Sequence, residues 1–443
     1  MRRRQAFANV GHVNVSPILA LAGLITIGLL VPRLTSLRWP RVSSLDLFVA
    51  AGGPLVALGL VLGPGIDLLD RQALAAVAPA IALAIGWIGA AFGACFEWRY
   101  LRRIPRGAWL LAAISSLVTL TAVALATWLA MRLIPALSAA WAPPRLPAIL
   151  TLGALAAASG PGVVTLVARV VGTPPRAARP IVLAATLETA FALVAMTLPF
   201  ASHRRVGAAV AWLALVVLAA GSGALAGLTF VWLTRLGTGL PRTELGFAVL
   251  ATLLLGAGVG TAAGVPPFVT CFLASALIVN ASPQRHAVRA VLVEGERPSY
   301  AVLLVVTGAL LALPTAWILV AAPVLLGLRA VAKWAAVRFG GRLLGLARGS
   351  RERGGLGTIA QGGVVVALGL SYALLYGGAG PLLTTIVLLV AAAQLSAVPL
   401  WTFALRADSA GPVAPATPDA SAPLTQTTAP PELSANVSAE WPR

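Results

Sequence analysis

Long apolar runs decide what this chain can become. Between about residue 16 and residue 405, stretches of 15 to 27 mostly aliphatic residues follow one another, split by short connections rich in Pro, Gly and Arg. A helix needs about 20 apolar residues to cross the hydrocarbon core of a bilayer. In lipid every backbone polar group must be satisfied internally, which leaves only helices and closed barrels. Barrel strands alternate apolar and polar positions. These runs are continuous, so a barrel is excluded. Only 10% of the 443 residues are charged, against roughly 25% in a soluble domain, which excludes a water-soluble enzyme. The expected fold is an all-α polytopic membrane protein.

Thirteen spans can be placed, at 16–31, 45–63, 73–95, 108–134, 146–170, 178–200, 207–233, 245–263, 266–280, 299–313, 315–337, 356–376 and 380–405. An odd number puts the two termini on opposite sides. The basic residues then test the orientation, because cytoplasmic connections carry the excess of Lys and Arg. Eight of the 32 basic residues fall on the N-terminal side and 24 on the other. The N-terminus is therefore expected outside and the C-terminus in the cytoplasm of a cell membrane. Net charge is +19, yet the basic residues are scattered between apolar runs and form no nucleic-acid-binding face. The opening Met-Arg-Arg-Arg lacks a following cleavage site, so residues 16–31 read as a first span and not as a signal peptide. Residues 1–406 form the membrane domain. From 407 to 443 the chain is rich in Ala, Pro, Ser and Thr, a composition expected to stay disordered on the cytoplasmic side.

Outside that tail there are nine acids. Eight are read as lying at helix ends or in connections. The ninth, Glu188, has about ten residues of span on either side. An ionisable group at mid-bilayer costs several kcal/mol and is a functional candidate on that ground; the plain alternative is a structural Glu that fixes packing. Lys333, in the eleventh span, is the one lysine among 31 arginines. Arg stays charged in proteins, whereas a desolvated Lys can titrate. Lys333 is therefore a candidate for a titratable amine, with a snorkelling side chain as the alternative.

Two spans look interrupted. The fifth contains Ser159, Gly160, Pro161 and Gly162, and the twelfth contains Gln361, Gly362 and Gly363. Paired interruptions in two halves of a membrane chain point to a transporter's ion site. Close Gly-mediated helix packing is the alternative for either one alone. The two cysteines give neither a disulfide framework nor a metal spacing. Nucleophile–base pairs and phosphate loops do not stand out, and no cofactor is expected.

With these residues in place, the chain resembles the monovalent cation:proton antiporter superfamily. Gly59-Leu-Val-Leu-Gly-Pro64 is similar to that family's second-helix signature. Gly93-Ala-Cys-Phe-Glu97, followed by Arg102 and Arg103, is similar to its third helix and basic turn. Ala158-Ser-Gly-Pro-Gly162 resembles the first helix break, Phe272 to Ser282 a helix end before a linker, and Gln361-Gly-Gly363 the second break. The resemblance implies thirteen helices, inverted repeats, two discontinuous crossing helices in a mobile core, and a dimerisation panel, hence a homodimer. It implies exchange of protons for Na⁺ or K⁺ at a carboxylate. One departure stands out: where the family usually ends its sixth-span pair on an acid, this chain has Glu188-Thr189. Lys333 matches the family's eleventh-span Lys, which implies a Glu188–Lys333 pair. The expected reading is a proton/monovalent-cation exchanger with Glu188, Thr189 and Ser159 as ligands. A divergent member that performs no antiport (a sensor, a partner subunit or a carrier of another solute), with Glu188 and Lys333 as a structural pair, is the alternative.

Overall fold

A computed structural model describes residues 44–66, 68–69, 71–134, 145–203, 207–235, 241–312, 316–345, 354–376 and 380–405, with the single positions 22, 23 and 26. The expected first span, apart from those three positions, and the 407–443 tail lie outside the described residues.

All the regular structure described is helical. In chain order the α-helices are α1 (Ser44–Ala50), α2 (Gly53–Leu60), α3 (Arg71–Ala76), α4 (Ala78–Gly93), α5 (Trp98–Leu101), α6 (Arg106–Leu133), α7 (Arg145–Ala157) and α8 (Pro161–Val170). They continue with α9 (Pro175–Ser202), α10 (Ala208–Arg235), α11 (Arg242–Ala262), α12 (Pro267–Ala281), α13 (Arg285–Ala309), α14 (Ala316–Leu343), α15 (Gly363–Tyr376) and α16 (Gly380–Leu405). A π turn, Val61–Gly65, extends α2, and a 3-10 turn, Gly354–Thr358, precedes α15. Proline starts several of these helices: Pro54, Pro79, Pro161, Pro175 and Pro267 sit in first turns, where the missing N–H costs nothing.

Seven stretches are long and apolar enough to cross a membrane, counting α7 and α8 as one. Shorter apolar helices supply four more of the expected spans, and the tenth forms the C-terminal part of α13. Helix α6 shows why the sequence folds this way in lipid. It buries Ser115, Ser116, Thr119 and Thr127, while Leu110, Leu117 and Leu125 stay more than half exposed. Hydroxyls and small residues make the helix contacts and large aliphatics face outward, as expected where lipid replaces water.

One boundary differs from the sequence reading. The tenth apolar run begins near 299, yet α13 starts at Arg285 and runs unbroken through Pro298. Glu294 and Glu296 therefore lie inside a helix and not in a connection. The first turns of α13 are amphipathic, so apolarity alone does not mark where it begins.

The chain repeats itself. Helices α6 and α14 are both 28 residues long, and each is followed by a broken span and then by a long helix, α9 or α16. The twelfth span comes seven after the fifth, an odd offset, so the second copy runs inverted through the membrane. Around the two breaks lies the largest buried cluster, built on Leu152, Leu155 and Ala156 to Ala158 of the first copy and Val365 to Leu368 of the second. Helices α4, α10, α11, α12 and α13 pack on one another beside it, around Phe230, Leu253 and Cys271. Where α2 crosses α13, Gly59 and Gly308 face each other closely: a Cβ on either would strike the other helix's backbone, at Val305 O or Val56 O. The Gly59 to Pro64 signature thus marks a close helix crossing.

Candidate functional site

The fifth span stops at Ala157 and resumes at Pro161, with Gly160 extended at φ −85° and ψ 96°. The twelfth stops at Thr358 and resumes at Gly363. The two extended stretches touch. Gly160 N–H donates to Ala360 O at 2.8 Å. A Cβ on Gly160 would lie 2.6 Å from Gly362 N, so only glycine permits this approach.

A broken helix leaves carbonyls without intrahelical partners, and in a membrane interior each must find one. Here the partners can be named. Gln361 Nε2 donates to Leu155 O at 2.8 Å and lies 3.3 Å from Ala158 O. Gln394 Nε2 donates to Gln361 O at 3.3 Å. Thr189 Oγ1 bonds Ser159 O and sits 2.8 Å from Ala185 O, while Ser159 N–H points at Thr189 Oγ1 from 3.3 Å. Arg329 reaches four carbonyls of the two breaks. Its Nε donates to Ala156 O at 2.6 Å, its Nη1 to Ile359 O, and its Nη2 lies 2.9 Å from Ala158 O and 3.4 Å from Thr358 O. One guanidinium therefore binds both breaks.

Beside this frame sits the carboxylate. Glu188, midway along α9, is 1% exposed. Lys333 Nζ on α14 lies 2.5 Å from Glu188 Oε2, and Lys333 is 0% exposed. Ser115 Oγ of α6 donates to Glu188 Oε1 at 2.5 Å. Ser159 Oγ accepts from Lys333 at 2.8 Å and faces both Glu188 Oε2 at 2.7 Å and Thr358 O at 2.6 Å; its single proton serves one of them. Ser116 Oγ is 3.4 Å from the backbone oxygen of Glu188. A buried charge pair is held only when its remaining lone pairs are satisfied, and the two serines do that here.

Glu188, Ser159 and Lys333 thus come together, and the snorkelling alternative for Lys333 does not apply. Thr189 turns to the backbone of the break and not to the carboxylate, as expected for a neighbour rotated about 100° around the helix. Gly160, Gln361 and Gly362 form the crossing. Pro161 starts α8 beside it, Gly162 has open space at its Cβ position, and Gly363 packs against the Tyr300 ring. Sequence reading missed Ser115 and Arg329. A count by connections puts Arg329 and Lys333 with the cytoplasmic basic residues; both are 0% exposed inside α14, which leaves 22 on that side. The signal of Arg329 was present: it stands one helical turn before Lys333 inside an apolar run.

Comparison with known proteins places the architecture. The signature of the sodium/hydrogen exchanger transmembrane family matches residues 91–404. Among curated proteins no sequence matches the chain. The structure resembles that of the sodium proton antiporter MjNhaP1 from Methanocaldococcus jannaschii, solved at pH 8, with a TM-score of 0.63 and 17% identity. The match covers 88% of this chain and 98% of that one. A second structure of the same antiporter, from electron microscopy, matches with a TM-score of 0.62 at 16% identity.

Proposed function

The chain belongs to the sodium/hydrogen exchanger family of multi-pass membrane transporters, and from that premise we propose that it exchanges protons for a monovalent cation, Na⁺ or K⁺, by alternating access. The observation that carries this reading is the placement of Glu188: a buried carboxylate, held by an ammonium at 2.5 Å, at the crossing of two helix breaks. Glu188 is the cation's carboxylate ligand. Ser115 Oγ, Ser159 Oγ and Thr358 O supply neutral oxygens around it, the donor type that hard cations take. Lys333 occupies the carboxylate when the cation is absent. The proton that leaves as the cation enters comes from the Glu188–Lys333 pair. Thr189 fixes the break that presents Ser159.

The N-terminus is outside and the C-terminus cytoplasmic, supported by the 22 to 8 division of the basic residues outside the site. The protein works as a homodimer through its second helical layer, to be checked by mass measurement in detergent.

One observation favours a different reading. Glu188 already holds Ser115, Ser159 and Lys333, a closed set suited to a structural pair in a member that carries no cation. A proteoliposome assay separates the two. An imposed pH gradient is discharged by Na⁺, K⁺ or Li⁺ added in turn, with Glu188→Gln in parallel. Discharge by wild type and none by the variant supports exchange. Discharge that survives Glu188→Gln removes the assigned role, and no discharge with any cation leaves the structural pair.

A further inference from the structure

Two cations, Arg329 and Lys333, sit one turn apart on α14, both fully buried. One would balance Glu188, so the second needs its own reason. The hydrogen bonds supply it. Lys333 bonds only side chains, Glu188 Oε2 and Ser159 Oγ. Arg329 bonds only backbone, the carbonyls of Ala156 and Ala158 in one break and of Thr358 and Ile359 in the other. A guanidinium has five N–H donors in a rigid fork, and four acceptors from two chain segments fit that fork. An ammonium, with three donors on a flexible stem, cannot span both.

We infer that Arg329 is a positioning residue that keeps the two breaks joined throughout the transport cycle, and that this division of labour is what leaves Lys333 free to leave Glu188. The inference rests on the reading of Lys333 as the exchangeable occupant of the carboxylate. Without Arg329, the bare carbonyls would need a cation and Lys333 is the nearest, so it would be held and not exchanged. With Arg329 in place, the crossing holds Ser159 Oγ within reach of Glu188 whether an ammonium or a metal cation is bound.

The test compares Arg329→Gln, Arg329→Lys and Lys333→Gln in the full chain. Thermal melting in detergent comes first, with NaCl or choline chloride, at neutral and at acidic pH. Lys333→Gln strands a buried carboxylate, so its lost stability returns on acidification, when Glu188 takes a proton, and on adding Na⁺. Arg329→Gln strands carbonyls, which neither acid nor Na⁺ repairs. Arg329→Lys recovers part of the loss, because three donors reach some of the four carbonyls. Flux in proteoliposomes comes second: the folded Arg329→Lys protein shows a cation KM raised about fivefold or more, the scale of a typical coupling between sites, with a displaced pH profile. If Arg329→Gln and Lys333→Gln respond alike to pH and Na⁺, the division of labour is wrong. An Arg329→Lys protein with lower stability but unchanged KM and pH profile makes Arg329 structural only and overturns its positioning role. Wild type without flux would end the exchanger reading alone, since the acid-rescue comparison needs no transport.

Discussion

Gly160→Ala is the sharpest perturbation of the crossing. Gly160 has φ −85° and ψ 96°, a conformation open to any residue, so the backbone itself is not strained by alanine. The cost is steric. The new Cβ would lie 2.6 Å from Gly362 N, 2.9 Å from Gln361 C and 3.0 Å from Gly362 Cα, all backbone atoms of the other break. Carbon contacts settle near 3.5–4.0 Å, so the breaks must separate by roughly 0.5–1 Å. That separation stretches the 2.8 Å bond from Gly160 N–H to Ala360 O. Overpacking costs about 1–3 kcal/mol, and a weakened buried hydrogen bond adds about 1–3 kcal/mol. The expected loss is about 2–6 kcal/mol, a large share of the roughly 5–15 kcal/mol that holds a folded domain. Gly162→Ala is the internal control. Two residues away in the same motif, Gly162 has nothing within 4 Å of its Cβ position. Alanine there should be neutral, or stabilising by up to about 1 kcal/mol through helix propensity. Melting in detergent, followed by flux in proteoliposomes, compares the two. A Gly160→Ala protein that melts with wild type, or a Gly162→Ala protein that loses as much, would refute a close crossing.

Three further outcomes are expected. Thr189→Val removes the hydroxyl that serves Ser159 N–H and Ser159 O, and should lower stability by about 1–3 kcal/mol, whereas Thr189→Ser keeps most of it; equal losses would deny the hydroxyl its role. His203 closes α9, bonds Tyr372 Oη at 2.9 Å and stacks on Tyr376 at 3.7 Å. Burial holds its pKa below the ordinary 6.5, so the neutral ring stabilises the fold above that value and the contribution fades as pH falls through it. The melting temperature should therefore drop between neutral and mildly acidic pH, and His203→Gln should flatten that slope; an identical slope removes His203 as its source. Glu97→Gln breaks ion pairs of 3.6 and 3.7 Å to Arg285 and Arg289. These are partly exposed, so the cost should stay under about 1 kcal/mol and shrink in high salt; a larger, salt-independent loss would mean the cluster carries more than surface pairing.

What was legible in the sequence follows from what membranes demand. Apolar length places the spans, and the described helices fall where the runs lie, because lipid leaves the backbone no other option. Glu188 and Lys333 stood out for the same reason: burying a charge in lipid is costly enough to be conspicuous in composition alone. Arg329 was hidden by its own kind, one arginine among 31, and a count by connection assigns such a residue to the nearest surface. Its partners are carbonyls, which carry no sequence signature. Ser115 was hidden because hydroxyls are common in membrane helices and only the register of α6 against α9 selects this one. Thr189 shows the reverse limit. A family position suggested a ligand, while the helix turn between neighbours sends its hydroxyl to the backbone. The start of α13 was missed because its first turns are amphipathic.

The charge balance of the site leads to a final expectation. Arg329 is balanced by four carbonyl dipoles, and Lys333 by Glu188. An uncompensated charge in such an interior costs several kcal/mol, so each long-lived state should keep this balance. With Lys333 protonated on Glu188, the pair sums to zero. With a monovalent cation on Glu188, it sums to zero only if Lys333 has given up its proton. On the proposed exchange, one cation would therefore replace one proton, and the core would carry the same charge in both directions. A second acid beside Glu188 would change that count; this chain has Thr189 there. Exchange should accordingly be electroneutral. In proteoliposomes with Na⁺ as the exchanged cation, the rate should not change when a K⁺ diffusion potential is imposed with valinomycin, and solid-supported membranes should record no net current. A current, or a rate that follows the sign of the potential, would show that another group titrates in the cycle and that the Glu188–Lys333 pair does not hold the full proton count.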